Sequence, residues 1–335
     1  MPHDIRLPAF LKSPALAACC LLVVASIRFN RNDLVVARPL NDAAYYISNV
    51  EKMRGVDPTT YAYKGPFNER ILGTTLAALL PLDPLTAINV VNLIFLLAAV
   101  YFLFRLLRDS GISENLSWLG LYLFIFSFPT FYYSTIGYID PTVLGCIFLG
   151  AWAIFSKKPL LYLAAVAAGA FAKENIVVLI LPALAYAYSS GKAQWYVLGI
   201  LGGLLIVLAN FILRRHLSEI NDYLIFWEPR AFRISDNFTR PNFYISTLLS
   251  WGIPLVACSY YLINRPREVL HRIKDDLPLW AGILTILGGS FYMFIAAFPD
   301  GRNVWVSYCF PLLLMLRWWQ RWGPPFHMRQ ATKKP

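Results

Sequence analysis

Long apolar runs separated by short charged breaks dominate the chain. They fall near 13–28, 88–107, 115–131, 140–155, 159–172, 175–189, 195–213, 244–263, 278–297 and 303–319. A helix needs about 20 apolar residues to cross a hydrocarbon layer of about 30 Å. The runs predict an all-α fold, a polytopic helical membrane protein with about ten transmembrane helices. The run at 13–28 follows Arg6 and Lys12, as a signal peptide would. No small-x-small cleavage site precedes Arg28, so it reads as a retained first span. Ile71 to Pro81 is apolar but too short to cross, and Pro81 and Pro84 interrupt it. It reads as a helix lying at the membrane interface. The pair 159–172 and 175–189 is ambiguous: two short spans or one long helix, with everything downstream changing side between the two readings.

Residues 1–335 read as a single integral membrane domain, with no internal repeat. Two long polar loops stand out, 29–87 and 214–243, and a short tail covers 320–335. Loops of this length in compact proteins are usually functional.

Composition sharpens the class. Hydrophobic residues make up 58% of the 335 and charged residues 15%, against about 25% charged in a soluble domain. A disordered chain, a disulfide scaffold and an ordinary soluble enzyme are excluded. The net charge is nonetheless +11. No basic helix, zinc pattern or aromatic RNA-binding signature accompanies it, so nucleic acid is not an expected partner. Placing the N-terminus in the cytoplasm puts the basic short loops 156–159 and 264–278, and the tail, inside. That face then holds 16 basic and 6 acidic residues, a balance of +10, and the outer face 14 and 13, a balance of +1. Orientation follows Lys and Arg in short loops. A bacterial inner membrane with both termini cytoplasmic is the expected location. Asn237-Phe238-Thr239 would be a glycosylation sequon only in a eukaryotic lumen. The five cysteines sit in apolar runs and read as free thiols, and the four histidines show no metal-ligand spacing.

The candidate chemistry collects on the predicted outer face. Asp42 follows the first span and precedes Tyr45 and Tyr46. Asp140 stands before Pro141 at the mouth of a span. Lys173 and Glu174 separate two apolar runs. The loop 214–243 mixes Arg230 and Arg233 with Tyr223 and Trp227. Arg302 opens the last span, where no topological rule calls for an arginine. Each has an ordinary reading beside the functional one: helix caps for Asp42 and Asp140, local charge compensation for Lys173 and Glu174, aromatic anchoring for the second loop. Ionisable groups at membrane depth otherwise pair or line a wet cavity.

In order and spacing these motifs resemble the GT-C class of polytopic glycosyltransferases, which use polyprenyl-phosphate-linked sugars. The residues are Asp42, Tyr45, Tyr46, Gly55, Asp57 and Pro58, then Arg70 entering the short helix at 71–81, RLLRDSG at 105–111, the small-residue run into Lys173, and Arg302 with Pro311. The class carries an acidic pair where this chain has Asn41-Asp42. The resemblance implies a polyprenyl-phosphate-linked donor, membrane lipids as surroundings, and a lipid, glycan or protein acceptor. It implies Asp42 as general base, with Asp140 orienting the acceptor. Tyr45, Tyr46, Arg70, Lys173, Glu174, Arg230, Arg233 and Arg302 become substrate-binding candidates, the cations balancing a phosphate leaving group. No cofactor or metal is expected. Two carboxylates without histidine would suit Mg²⁺ or Mn²⁺ if a divalent cation took part. A transporter or flippase shares the composition, but the polar residues gather at one face rather than at midplane between two repeats. A non-catalytic subunit of envelope-polysaccharide assembly would keep the fold and tolerate loss of Asp42.

Overall fold

Helix boundaries follow local chemistry closely. Asp83 caps the helix Pro84–Asp109 by accepting the Thr86 N–H at 3.0 Å, and Pro84 occupies its first turn, where a missing N–H costs nothing. The computed structural model describes residues 6–29, 42–57, 67–217, 239, 241–296 and 301–325. Among them every regular element is helical. In chain order the α-helices are α1 Pro14–Ser26, α2 Asp42–Met53, α3 Ile71–Ala78, α4 Pro84–Asp109, α5 Glu114–Ile125, α6 Phe128–Tyr133, α7 Asp140–Phe155, α8 Pro159–Ala172, α9 Ile180–Ser190, α10 Gln194–Leu217, α11 Pro241–Asn264, α12 Pro266–Arg272, α13 Leu277–Ala296, α14 Arg302–Trp305 and α15 Cys309–Trp322. Among the described residues three helices are long and apolar enough to cross a membrane: Pro84–Asp109, Gln194–Leu213 and Tyr244–Asn264. Shorter apolar helices include Pro14–Ser26, Asp140–Phe155, Pro159–Ala172 and Glu174–Ser190. The described residues form an all-helical fold with the apolar helices of a membrane protein.

Several predicted runs are broken in the structure. The run 115–131 divides at Phe126–Ser127 because Pro129 can sit only in a first helical turn. The run 303–319 divides at Val306–Tyr308, before Pro311. The run 244–263 kinks at Gly252, whose φ is 44°, just before Pro254.

The ambiguous pair is a hairpin. Trp195, opening α10, packs edge-on against Tyr162 near the start of α8 and Tyr186 near the end of α9, with centroids 5.6 and 5.3 Å apart. Those rings share one end of the bundle, so the chain reverses at the other. The reversal is Lys173, in extended backbone, followed by a 3₁₀ turn over Glu174–Leu179.

Packing centres on α7, which is buried along nearly its whole length between α4 and α8. Close approach is possible where side chains are small: a Cβ on Gly145 would stand 2.9 Å from the Phe95 ring and 3.0 Å from its carbonyl. Arg54 ties α2 to α3. Its guanidinium donates to the carbonyls of Ala77, Ala78, Leu80 and Leu82 at 2.7–3.3 Å, satisfying the carbonyls that a helix C-terminus leaves over. The starts of α2, α7 and α14 and the reversal at Lys173 thereby converge on one end of the bundle. Asp109, Asp276, Arg317 and Arg321 lie at the other.

Candidate active site

Helix ends deliver the charged side chains. Asp42 opens α2 and Asp140 opens α7, each an anion at the positive end of a helix. Arg302 opens α14. Gly301, one residue earlier, lies so close to Ser246 and Ser250 of α11 that a Cβ there would collide with them, which fixes the approach of Arg302.

Arg302 joins the two carboxylates. Its Nη1 lies 2.9 Å from Asp42 Oδ2 and 3.7 Å from Asp140 Oδ2. Lys173 Nζ lies 2.6 Å from Asp140 Oδ1. Signs alternate from Asp42 through Arg302 and Asp140 to Lys173. Burial is uneven along this chain of charges: the Asp140 side chain is 1% exposed and Lys173 6%, whereas Arg302 is 16% and Asp42 25% exposed. The innermost carboxylate is locked from two sides, and the outermost one faces open space.

A second group stands beside the first. Arg70 enters α3 after a 3₁₀ turn over Phe67–Glu69 that Asn49 holds through the Phe67 carbonyl at 2.6 Å. Its Nε and Nη2 donate to both oxygens of Glu174 at 3.1 and 2.5 Å, and Nη1 donates to the Tyr46 hydroxyl at 2.6 Å. That is a bidentate pair of the stronger kind. Burial raises the Tyr46 hydroxyl pKa far above its ordinary value, with Arg70 opposing in part. Burial would by itself weaken the Arg70 charge, but Glu174 and the Tyr46 oxygen outweigh it and hold the guanidinium protonated. Tyr45 stacks on Phe67 with centroids 4.4 Å apart and planes 8° apart, and Tyr46 meets the same ring edge-on.

The sequence-derived candidates Asp42, Tyr45, Tyr46, Arg70, Asp140, Lys173, Glu174 and Arg302 thus gather at one end of the bundle. Arg230 and Arg233 lie outside the described residues. Asp57 is exposed and joins no contact of the group. Other residues were not singled out by sequence. The Tyr138 ring lies 4.1 Å under the Arg302 guanidinium, a cation–π contact. Asn92 donates to the Tyr138 carbonyl at 2.5 Å, and Asn89 accepts the Gly137 N–H at 2.9 Å. Gly137 has φ +86° and passes within 3.0 Å of the Ala43 side chain, counted from an ideal Cβ, so this loop threads past α2 only with glycine there. Glu69 and Asn68 are buried next to Arg70. The available signal was Asn89 and Asn92, two amides one turn apart in an otherwise apolar helix.

Chemically, the site offers two partly exposed carboxylates, Asp42 and Glu174, one sealed carboxylate, Asp140, and three cations, Arg302, Lys173 and Arg70. Among the described residues no three His, Cys, Asp or Glu side chains converge as a metal-ligand group. No protein-family model, curated protein or solved structure matches the chain.

Proposed function

We propose that this protein is a membrane glycosyltransferase of the GT-C type, moving a sugar from a polyprenyl-phosphate-linked donor to an acceptor hydroxyl outside the cytoplasm. The observation that carries the reading is the position of Arg302 between Asp42 and Asp140. An inverting transfer needs a carboxylate facing the acceptor and positive charge facing the leaving phosphate, and this geometry supplies both within one residue's reach. Asp42 takes the proton of the acceptor hydroxyl, whose oxygen attacks the anomeric carbon. The bond from that carbon to the phosphate oxygen breaks, and its electron pair leaves with the lipid phosphate. Arg302 neutralises the charge that develops there, exchanging its contact with Asp42 for the phosphate. Asp140, itself held by Lys173, steadies Arg302 from behind. Arg70, fixed by Glu174, and the Tyr46 hydroxyl bind polar groups of the sugar. A divalent cation at this place would have to displace Arg302 from the carboxylates.

In this reading the apolar segments make about ten crossings. The reversal at Lys173 supports counting 159–172 and 175–189 separately, and that count keeps every candidate residue on the side opposite the basic loops. The short helix Ile71–Ala78 lies at the membrane surface, the donor's tail enters from the lipid, and the location is a bacterial inner membrane.

The test is Asp42→Asn, assayed in membranes for transfer from a polyprenyl-phosphate sugar. The expected loss is about 10²–10⁴-fold in turnover at normal expression, since Asp42 is the most exposed member of its group. Unchanged turnover removes Asp42 from the chemistry.

A further inference from the structure

The opposite end of the bundle holds a separate feature. A cavity of about 350 Å³ lies between the turn that ends α4 and the last helix, α15. Ser110 and Gly111 form one wall, and Arg317, Gln320 and Arg321 form the other. Gln320 fixes the two walls together: its Nε2 donates to the Gly111 carbonyl at 3.0 Å and its Oε1 accepts the Ser113 N–H at 2.8 Å.

Behind the cavity sits Asp276, 1% exposed. It accepts from Arg317 Nη1 at 3.0 Å, Trp318 Nε1 at 3.1 Å and Arg321 Nη1 at 3.4 Å. Two guanidiniums on one carboxylate leave a net positive charge beside the opening. A guanidinium carries five N–H donors, and the contacts to Asp276 engage one nitrogen of each. Asp275 also lines the cavity, its charge answered by Arg272 at 3.1 Å. The Ser110 hydroxyl is buried with no hydrogen-bond partner among the described residues. Surplus donors, net positive charge and an unanswered hydroxyl all call for an oxyanion. Phosphate fits best, because two arginines can hold its oxygens in a fork geometry.

The depth of the cavity selects the source. Trp318 and Trp322 pack with Tyr261 at 5.7–5.9 Å between centroids, and Trp280 packs on Trp318 at 5.9 Å. Tyr261 and Trp318 are buried, and the partly exposed members, Trp280 and Trp322, are the residues that mark headgroup level in membrane proteins. Arg105, Arg108 and Lys274 add positive charge at the same end, as basic pockets that hold anionic headgroups do. We infer that this cavity binds the phosphate of an anionic phospholipid, at a site distinct from the glycosyl-transfer site and independent of that assignment. The lipid's glycerol phosphate enters the cavity, and its acyl chains lie along the apolar flank of the bundle.

The experiment uses the full-length chain in nanodiscs of phosphatidylcholine, with and without phosphatidylglycerol. It reads thermal midpoint and, by native mass spectrometry, retained lipid. Wild type gains several degrees and retains phosphatidylglycerol. Arg321→Gln, whose side chain is 36% exposed, keeps its midpoint in phosphatidylcholine and loses both responses. Arg321→Lys and Ser110→Ala fold normally and respond more weakly than wild type. They decide the matter if Arg321→Gln does not fold. Soluble glycerol phosphate and inorganic phosphate at matched concentration give no comparable shift. The inference is overturned if all three variants respond as wild type does, or if either soluble phosphate reproduces the whole shift, which would make the ligand a soluble ester.

Discussion

Lys173 allows the chain of charges to be tested without any substrate. Its ammonium and the Asp140 carboxylate lie 2.6 Å apart, with exposures of 6% and 1%. At an effective dielectric of about 20, two unit charges at this separation attract by about 6 kcal/mol. Removing both ions from water costs several kcal/mol each, so an intact buried pair contributes little net stability. Removing one partner is a different matter. Lys173→Met strands a sealed carboxylate, a defect worth about 3–5 kcal/mol. Arg302, 3.7 Å from the other Asp140 oxygen, offsets part of it, which puts the expected loss near the lower bound, about 3 kcal/mol. At about 2 °C per kcal/mol for a long chain, the thermal midpoint falls by about 6 °C. Adding Asp140→Asn keeps the side-chain shape and removes the stranded charge, so the double variant recovers most of that loss. Tryptophan fluorescence during heating in one detergent reads all three proteins. A single variant within about 1 °C of wild type, or a double variant less stable than the single, would refute the assignment of a buried, charged pair.

Arg302→Lys keeps the charge but loses the planar guanidinium that sets one nitrogen between the two carboxylates; transfer should fall about 10²-fold with a smaller thermal shift than Lys173→Met, and wild-type turnover would detach Arg302 from the leaving group. Gly145→Val drives new methyl groups into the Phe95 ring and carbonyl and should cost about 1–3 kcal/mol, measured as a lowered midpoint; no shift would mean that α4 and α7 are looser than described. In a chain whose native cysteines are replaced, an impermeant maleimide applied to intact cells should label Asp57→Cys and spare Lys274→Cys, both exposed positions. The reverse pattern would put the candidate site on the cytoplasmic face.

Helical character was legible because the apolar runs admit no other backbone in a lipid-like interior. The meeting of Asp42, Asp140 and Arg302 was legible in outline, since charges at the mouths of apolar runs are costly unless paired. Arg302 was the clearest, an arginine where orientation rules expect none. The reversal at Lys173 could not be read. Two apolar runs of 14 and 15 residues with a charged pair between them look alike whether the helix continues or turns back. Tertiary packing of Trp195 on both Tyr162 and Tyr186 decides it. Glu69, Asn68 and Tyr138 were missed for a related reason: a buried polar residue in a loop has the same sequence neighbourhood as a solvated one. The breaks at Ser127 and Val306–Tyr308 were foreshadowed by Pro129 and Pro311, but apolar content alone overrode those signals in predicting unbroken spans.

The pairing of Asp42 with Arg302 spans 260 residues of sequence, and this separation has a consequence in time. At about 5–20 residues per second, a ribosome needs on the order of 10–50 s to supply the arginine after the aspartate has emerged. Throughout that interval Asp42 of α2 lacks its guanidinium, whereas Asp140 of α7 meets Lys173 only 33 residues further on. Closure by the last helical hairpin is therefore a checkpoint of biogenesis. A nascent chain lacking α14 and α15 leaves Asp42 without Arg302 while Lys173 already holds Asp140, and only the fully delivered chain joins the two carboxylates through one guanidinium.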